Sequence, residues 1–275
     1  MTALFIWFLS FNANGTFAQN LDETYQFGLE QYALSNFETA SLAFERVLYF
    51  GDGKYAVITL DHLARIRLSK GDIEGASKFY HRASVTSNDF AEKSYYTLRK
   101  CSGLLALRKT KLAMIDLFDI SDELPDSSLK YKYFLLGVAY YSELEFNESR
   151  LAFKSALPES DVNKRNQIDS LFNVVQNIKH PNPKTAKILS IFLPGAGQFY
   201  AGDVKNGINS LLLTGGFLFL GINTAVNYGL LNSFVSVFPW FQRYYMGGYQ
   251  RAGRIAEDRF REKQDAVFQS IIDVY

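Results

Sequence analysis

The sequence predicts an all-α protein in which a tandem array of helix pairs, an α-solenoid, precedes a helical transmembrane hairpin. Two observations predict this order. One pattern of small and large apolar residues occurs four times between residues 21 and 160, with a period of about 36 residues, and periods of this length are typical of repeat proteins. The chain later runs for 37 residues, 206–242, without a charged side chain, which is typical of membrane segments.

The first 18 residues predict a secretory signal peptide. They carry no charge, are apolar through Ala3–Phe11 and end on Thr16-Phe17-Ala18, where small residues suit a signal peptidase. Cleavage would place the following chain outside the cytoplasm. Because the positively charged start of a signal peptide is missing, the alternatives are that the true start lies upstream and that residues 1–18 are retained as a short anchor.

The four copies combine small residues with large ones at fixed offsets. Two antiparallel helices pack closely only if small residues lie where their axes cross, so we expect Gly28 to face Ala40 and Gly137 to face Ser149. The third copy is degenerate but keeps Cys101 in a small-residue position. The pattern of the last copy, Leu136-Gly137, Tyr140, Phe146, Ser149, Phe153 and Ala156-Leu157, resembles a tetratricopeptide repeat.

This resemblance implies a solenoid over residues 19–180, made of four repeats and a final cap helix at 162–178. In such arrays the first helix of each repeat lines a concave face, and the residues that map there are Tyr25, Tyr32, Asp61, Arg65, Tyr95, Tyr131, Phe134 and Tyr141. Tyrosine is favoured at interfaces, so the set predicts a groove for a protein or peptide partner. The alternative for each ring is packing between repeats.

Residues 184–248 are predicted to form the membrane domain. Because one span needs about 20 apolar residues, the uncharged run predicts two helices, at about 205–226 and 229–248, followed by an amphipathic helix at 249–275. Whether 186–201 is a third span is open. Three passes would put the basic tail in the cytoplasm, in agreement with the positive-inside tendency, whereas the proline within this segment favours a re-entrant or interfacial element.

A glycine-rich motif precedes the first of these helices. The residues Leu193-Pro194-Gly195-x-Gly197-Gln198-x-Tyr200-x-Gly202 resemble the signature of a family of small bacterial membrane domains, and more loosely the two-helix TM2 domain. The resemblance implies an envelope location and no established activity. The candidate membrane-motif residues are Pro194, Gly195, Gly197, Gln198, Tyr200 and Gly202. Gln198 is expected to satisfy carbonyl groups that Pro194 leaves unpaired.

A ridge of small residues follows at helical spacing. Gly248, Ala252 and Ala256 would let helices pack closely, either within the hairpin or between protomers of a homo-oligomer. Membrane lipid is the second expected partner, next to the protein or peptide segment in the groove.

No pattern in the sequence is typical of a reaction centre. The three histidines are isolated, and no glycine-rich phosphate or dinucleotide loop is present. The net charge of +1 argues against nucleic acid as a partner. We therefore expect a non-enzymatic scaffold, without a cofactor or a metal, in a bacterial inner membrane with its solenoid in the periplasm. The alternative is a component of a lipid or polymer export or assembly system that works through the turn at 194–202.

Overall fold

The computed structural model describes residues 20–51, 53–178 and 180–275, and within these ranges it contains fourteen helices and no strand. The predicted all-α class is therefore confirmed. The predicted signal peptide lies outside the described residues. The chain divides into two compact units, of which the first ends at Ala156 and the second begins at Leu157.

The first unit consists, in its described residues, of four helix pairs, and each helix packs against the next one in the chain. The helices are α1 (Leu21–Ala33), α2 (Phe37–Phe50), α3 (Ala56–Ser69), α4 (Ile73–Thr86), α5 (Phe90–Ala106), α6 (Thr110–Asp119), α7 (Asp126–Ser142) and α8 (Phe146–Ala156). Three residues join the two helices of every pair. Connections this short make the paired helices antiparallel neighbours.

The turns inside the four pairs share one backbone geometry. In each turn one residue is left-handed, with φ between 57° and 76°, and the next N–H donates to the carbonyl oxygen five residues earlier at 2.8–2.9 Å. This is the longer hydrogen bond of a Schellman motif. The left-handed residues are Ser35, Gly71, Arg108 and Leu144. They are 36 or 37 residues apart, so the backbone repeats with the period of the sequence, including the degenerate third copy.

Small residues allow the paired helices to approach each other. A Cβ atom on Gly28 or on Gly137 would lie 2.7 Å from the ring of Phe44 or of Phe153, and both rings are fully buried. The residues opposite, Ala40, Ala76, Ala113 and Ser149, are at most 1% exposed. Ser149 Oγ also donates to the carbonyl oxygen of Gly137 at 2.8 Å. Glycine is needed at Gly28 and Gly137 because an aromatic ring lies directly against the backbone.

The second unit is organised around its last helix. Its helices are α9 (Val162–Gln176), α10 (Pro183–Phe192), α11 (Ala196–Tyr200), α12 (Val204–Tyr228), α13 (Leu230–Ser236) and α14 (Phe238–Ile272). Helix α14 packs against every other helix of this unit. The helix that the sequence assigns as the solenoid cap, at 162–178, forms as α9, but it belongs to the second unit and packs against α14.

Helix α12 is the one helix in the described ranges that is long and apolar enough to cross a membrane. It has 25 residues, and its most apolar window has a mean hydropathy of 1.4 with only 6% of that window buried. At about 1.5 Å per residue such a helix extends roughly 37 Å. Since the apolar side chains are exposed, the pattern is not that of a core helix in a soluble protein.

The segment after α12 has other helix boundaries than the prediction. The span expected at 229–248, with a bend near Pro239, is divided at Val237, where α13 ends and α14 begins. Pro239 lies in the first turn of α14, a position where its missing N–H is not needed. The separate amphipathic helix expected at 249–275 is instead the continuation of α14. The ridge of small residues at this point packs α14 against α10.

Candidate functional site

Three of the eight predicted groove residues are buried in the first unit. Tyr25, Asp61 and Tyr141 are 6%, 7% and 7% exposed. Tyr25 stacks on Tyr55 with ring centroids 4.3 Å apart, and Tyr141 packs edge-on against Phe146 at 5.4 Å. These rings pack within the unit, which is the alternative that the sequence left open.

The other aromatic groove residues, Tyr32, Tyr95, Tyr131 and Phe134, are partly exposed. Phe134 contacts the buried ring of Phe153 edge-on at 5.7 Å, and Tyr131 stacks on Phe134 at 6.5 Å. Tyr32 tilts against His62 at 5.2 Å. Each of these rings therefore packs partly against the first unit and leaves the rest of its surface exposed, which suits contact with a ligand.

Arg99 is a surface cation that the sequence reasoning missed. It lies one helical turn after Tyr95 on α5; its Nε donates to Tyr95 Oη at 3.2 Å, and its guanidinium lies 5.2 Å from the centroid of the same ring. Within the part of the chain that the structure describes, Arg99 makes no ion pair with an acidic side chain. The available signal was the spacing of four residues between Tyr95 and Arg99, which places the two side chains on one helix face.

Arg65, Tyr95, Arg99 and Tyr131 form a group that we call the Tyr–Arg row. They lie on α3, α5 and α7. Arg65 and Arg99 both interact electrostatically with Tyr95, and Arg99 also interacts with Tyr131. Arg65 Nε donates to Asp61 Oδ2 at 2.7 Å, so the charge of Arg65 is balanced. Arg99 is the member of the row whose charge is left for a ligand.

Two side chains of potentially reactive types, a thiol and an imidazole, serve packing instead. Cys101 is fully buried, and burial raises the pKa of its thiol to about 12, so the nucleophilic thiolate is scarce at neutral pH. The His62 ring stacks on Phe44 at 5.0 Å, and burial lowers its pKa. Among the described residues no group of three or more His, Cys, Asp and Glu side chains is placed to hold a metal ion.

In the second unit Gln198 is the centre of an enclosed hydrogen-bond network. Its side chain is 1% exposed; Nε2 donates to the carbonyl oxygen of Gly248 at 2.9 Å, and Oε1 accepts from Ser190 Oγ at 2.9 Å. Ser190 Oγ in turn accepts from the Gly197 N–H at 3.0 Å. This Gln198 network ties α11 to α10 and α14. The amide of Gln198 is therefore closed off from solvent.

The glycines of the motif are required by the backbone. Gly195 and Gly202 have φ of 94° and 80°, in the left-handed region that glycine adopts without strain. A Cβ atom on Gly197 would overlap the carbonyl oxygen of Ala186 on α10. The motif therefore encodes a tight pairing of α10 with α11.

The carbonyl groups near Pro194 are satisfied by a residue other than the expected one. Tyr245 Oη, from α14, donates to the carbonyl oxygen of Ile191 at 2.8 Å, whereas Gln198 bonds to Gly248. Tyr200 Oη accepts from the Asn182 N–H at 3.2 Å. The expectation for Gln198 was wrong because α14 packs beside the turn and supplies both a donor and an acceptor.

The predicted helix-packing residues lie inside the second unit. Ala252 and Ala256 are fully buried and cluster with Ala186, Ala201 and Ile255. A Cβ atom on Gly248 would lie 2.8 Å from Ser210 Oγ of α12. The ridge thus brings α14 against α10 and α12 of the same chain.

The Tyr–Arg row and the Gln198 network differ in access. The row exposes the guanidinium groups of Arg65 and Arg99 and part of two tyrosine rings, whereas Gln198 and Ser190 of the network are buried. Comparisons with protein families, curated proteins and solved structures gave no match to this chain. The row is the better candidate for a binding site, because a ligand can reach its groups.

Proposed function

We propose that the protein is a non-enzymatic scaffold of a bacterial envelope membrane, in which a tetratricopeptide-type solenoid holds a segment of a partner protein on the Tyr–Arg row. The observation that carries the proposal is Arg99, an exposed cation that lies against Tyr95 and interacts with Tyr131. Guanidinium groups bind carboxylates and carbonyl oxygens with directed hydrogen bonds, and tyrosines add apolar area at low entropic cost.

The solenoid part of the proposal is supported by the four identical turns. The period of 36 or 37 residues between the left-handed residues and the small residues at the helix crossings are the features expected when one helix pair is stacked repeatedly. Solenoids of this kind are scaffolds that bind many unrelated partners, so the partner has to be argued from the exposed groups and not from the fold.

The anchor part of the proposal is supported by α12, whose apolar side chains are exposed along a helix of 25 residues. The remaining apolar surface of α13 and of the start of α14, with Leu231 76%, Phe234 61% and Trp240 51% exposed, would return the chain through the same bilayer. The predicted signal peptide favours the periplasm as the site of the partner.

Site-specific photocrosslinking in intact cells tests the proposed binding. A photoreactive residue in place of Tyr131 should give a discrete adduct with one protein, and the additional change Arg99→Glu should abolish it, whereas Arg99→Lys should retain part of it. Tyr49, on α2 and 82% exposed, is the matched control: the photoreactive residue there should not give that adduct. Equal adducts at both positions, or an adduct that survives Arg99→Glu, would contradict the proposal.

A further inference from the structure

Helix α10 exposes a large apolar tip. Ile188, Ile191, Phe192 and Leu193 are 53%, 44%, 84% and 55% exposed, whereas Ala186 and Ser190 on its other side are buried. Soluble proteins rarely leave contiguous apolar patches of this kind open to water. The exposed side of α10 therefore needs an apolar environment.

The chain runs through α10 to this tip and then turns back through α11, which ends beside the start of α10. Asn182, just before α10, donates to Tyr200 at the end of α11 at 3.2 Å, and the Gly197 N–H reaches back to Ser190 on α10. Helix α10 has 10 residues and extends about 15 Å, half of the roughly 30 Å of hydrocarbon that a full crossing requires. The segment 183–200 is a hairpin with both ends at one level.

The contacts of the turn set the depth of the hairpin. Gly195 lies against the carbonyl oxygen of Gly207, and a Cβ atom on it would lie 3.4 Å from Leu211 Cβ. Leu211 is seven residues beyond the start of α12, or about 10 Å at 1.5 Å per residue. When α12 crosses a bilayer, the apolar tip therefore lies about 10 Å along it, within the leaflet of about 15 Å from which α12 starts.

Basic side chains surround the end from which the hairpin starts. Lys184, Lys187, Lys205, Arg251, Arg254 and Arg259 are exposed there, and we call them the basic belt; Arg259 is also paired with Glu262 at 3.0 Å. Lys187 packs against Gly253, and Asp203 at the start of α12 lies within electrostatic range of Arg251 and Arg259, so these cations gather at one end of the second unit. The opposite end of the pair, 227–232, carries no charge. Cations gathered at one end suit the phosphates of anionic lipids.

We propose that α10 and α11 form a re-entrant wedge that enters one leaflet of an anionic bilayer and leaves it on the side from which it came. It rests on the membrane anchoring proposed above. The wedge buries Phe192 among acyl chains and holds the basic belt at the phosphates. The chain then crosses the bilayer once in each direction, so residue 182 and the half of α14 after Arg251 lie on the same side of the membrane.

Cysteine labelling of the full chain in membrane vesicles tests the wedge. In a Cys101→Ala background, Lys184→Cys and Lys263→Cys should react with a membrane-impermeant maleimide under the same condition, and Asn227→Cys only from the opposite side. Phe192→Cys should react from neither side until detergent is added.

Each result separates the wedge from the anchor. If Lys184→Cys and Lys263→Cys react from opposite sides, residues 186–201 cross the bilayer and the wedge is overturned while the anchor stands. Labelling of Phe192→Cys from water also overturns the wedge. A chain that leaves the vesicles in alkaline carbonate without detergent overturns the anchor itself, and the wedge with it.

Discussion

Replacement of Gln198 by leucine should loosen the α10–α11 hairpin while leaving the first unit unchanged. The side chain links three helices through Ser190 and Gly248 and is 1% exposed, so water cannot replace the lost partners. Leucine is similar in size and apolar, and it therefore removes the hydrogen bonds with little change in volume. Asn209→Leu is the control, because Asn209 is an exposed amide on α12.

The free-energy cost of Gln198→Leu follows from the hydrogen bonds that the substitution removes. Two side-chain hydrogen bonds contribute about 1 kcal/mol each, and a buried hydroxyl left without an acceptor, here that of Ser190, costs about 1–3 kcal/mol. The sum is about 3–5 kcal/mol. At about 1.4 kcal/mol per factor of ten, the local opening equilibrium should rise roughly a hundredfold to several thousandfold.

Amide hydrogen exchange of the chain in lipid nanodiscs measures this opening directly. The amides of α11 and that of Ala201, whose N–H donates to the carbonyl oxygen of Gly197 at 3.0 Å, should exchange faster in Gln198→Leu by the factor given above. Exchange in α7 and α8 should not change. Unaltered exchange in α11, or an equal acceleration in Asn209→Leu, would refute the assignment of Gln198 to helix packing.

Three further outcomes are expected in the first unit. Phe153→Ala should lower the free energy of unfolding by about 3–5 kcal/mol, and Leu151→Ala, 61% exposed on the same helix, by less than about 0.5 kcal/mol; thermal denaturation compares the two. Burial lowers the pKa of His62, so its neutral form stabilises the fold above the ordinary pKa of about 6.5, and this stability is lost as the pH falls through that value. His62→Phe should therefore reduce the difference between the Tm at pH 7.5 and the Tm at pH 5.5. An unchanged difference in Tm would contradict this. Cys101, with a thiol pKa raised to about 12, should react with iodoacetamide at neutral pH only after unfolding, as mass spectrometry would detect.

The helix pairs of the first unit could be predicted because apolar periodicity determines which face of a helix is buried. The turn residues could not all be predicted: Gly71 signals a left-handed position, but Arg108 and Leu144 take the same conformation without any preference of their own for it. At these turns the closing hydrogen bond and the packing of the pair outweigh the local cost. A repeat can therefore persist in the backbone after its sequence signal has been lost.

The candidate site was predicted less well, because helical spacing indicates which residues share a helix face but not which of them are buried by neighbouring helices. Tyr25 and Tyr141 were assigned to the groove, yet neighbouring aromatic rings cover them. Arg99 was left out of the predicted groove set, although its spacing of four residues from Tyr95 places both side chains on one helix face. Exposure depends on the angle at which neighbouring helices cross, and that angle is set by side-chain volumes from several repeats at once.

If the wedge is correct, the positive-inside tendency and the predicted signal peptide give opposite membrane orientations for this chain. With one crossing in each direction, the basic belt and the entry of the chain at Asn182 share a side, and the positive-inside tendency would make that side cytoplasmic. The predicted signal peptide would make it periplasmic. The first apolar segment to emerge usually sets the orientation, so we expect the signal peptide to prevail and the belt to bind the outer leaflet of the inner membrane.

Labelling in intact cells with a permeable outer membrane decides between these rules. Lys184→Cys and Lys263→Cys, in the Cys101→Ala background, should react with the impermeant maleimide without lysis, and Asn227→Cys should react only after lysis. The reverse pattern would show that six basic side chains outweigh an N-terminal segment that lacks a positive charge at its start. Both rules place Lys184→Cys and Lys263→Cys on the same side of the membrane, so this measurement tests the orientation of the chain independently of the wedge.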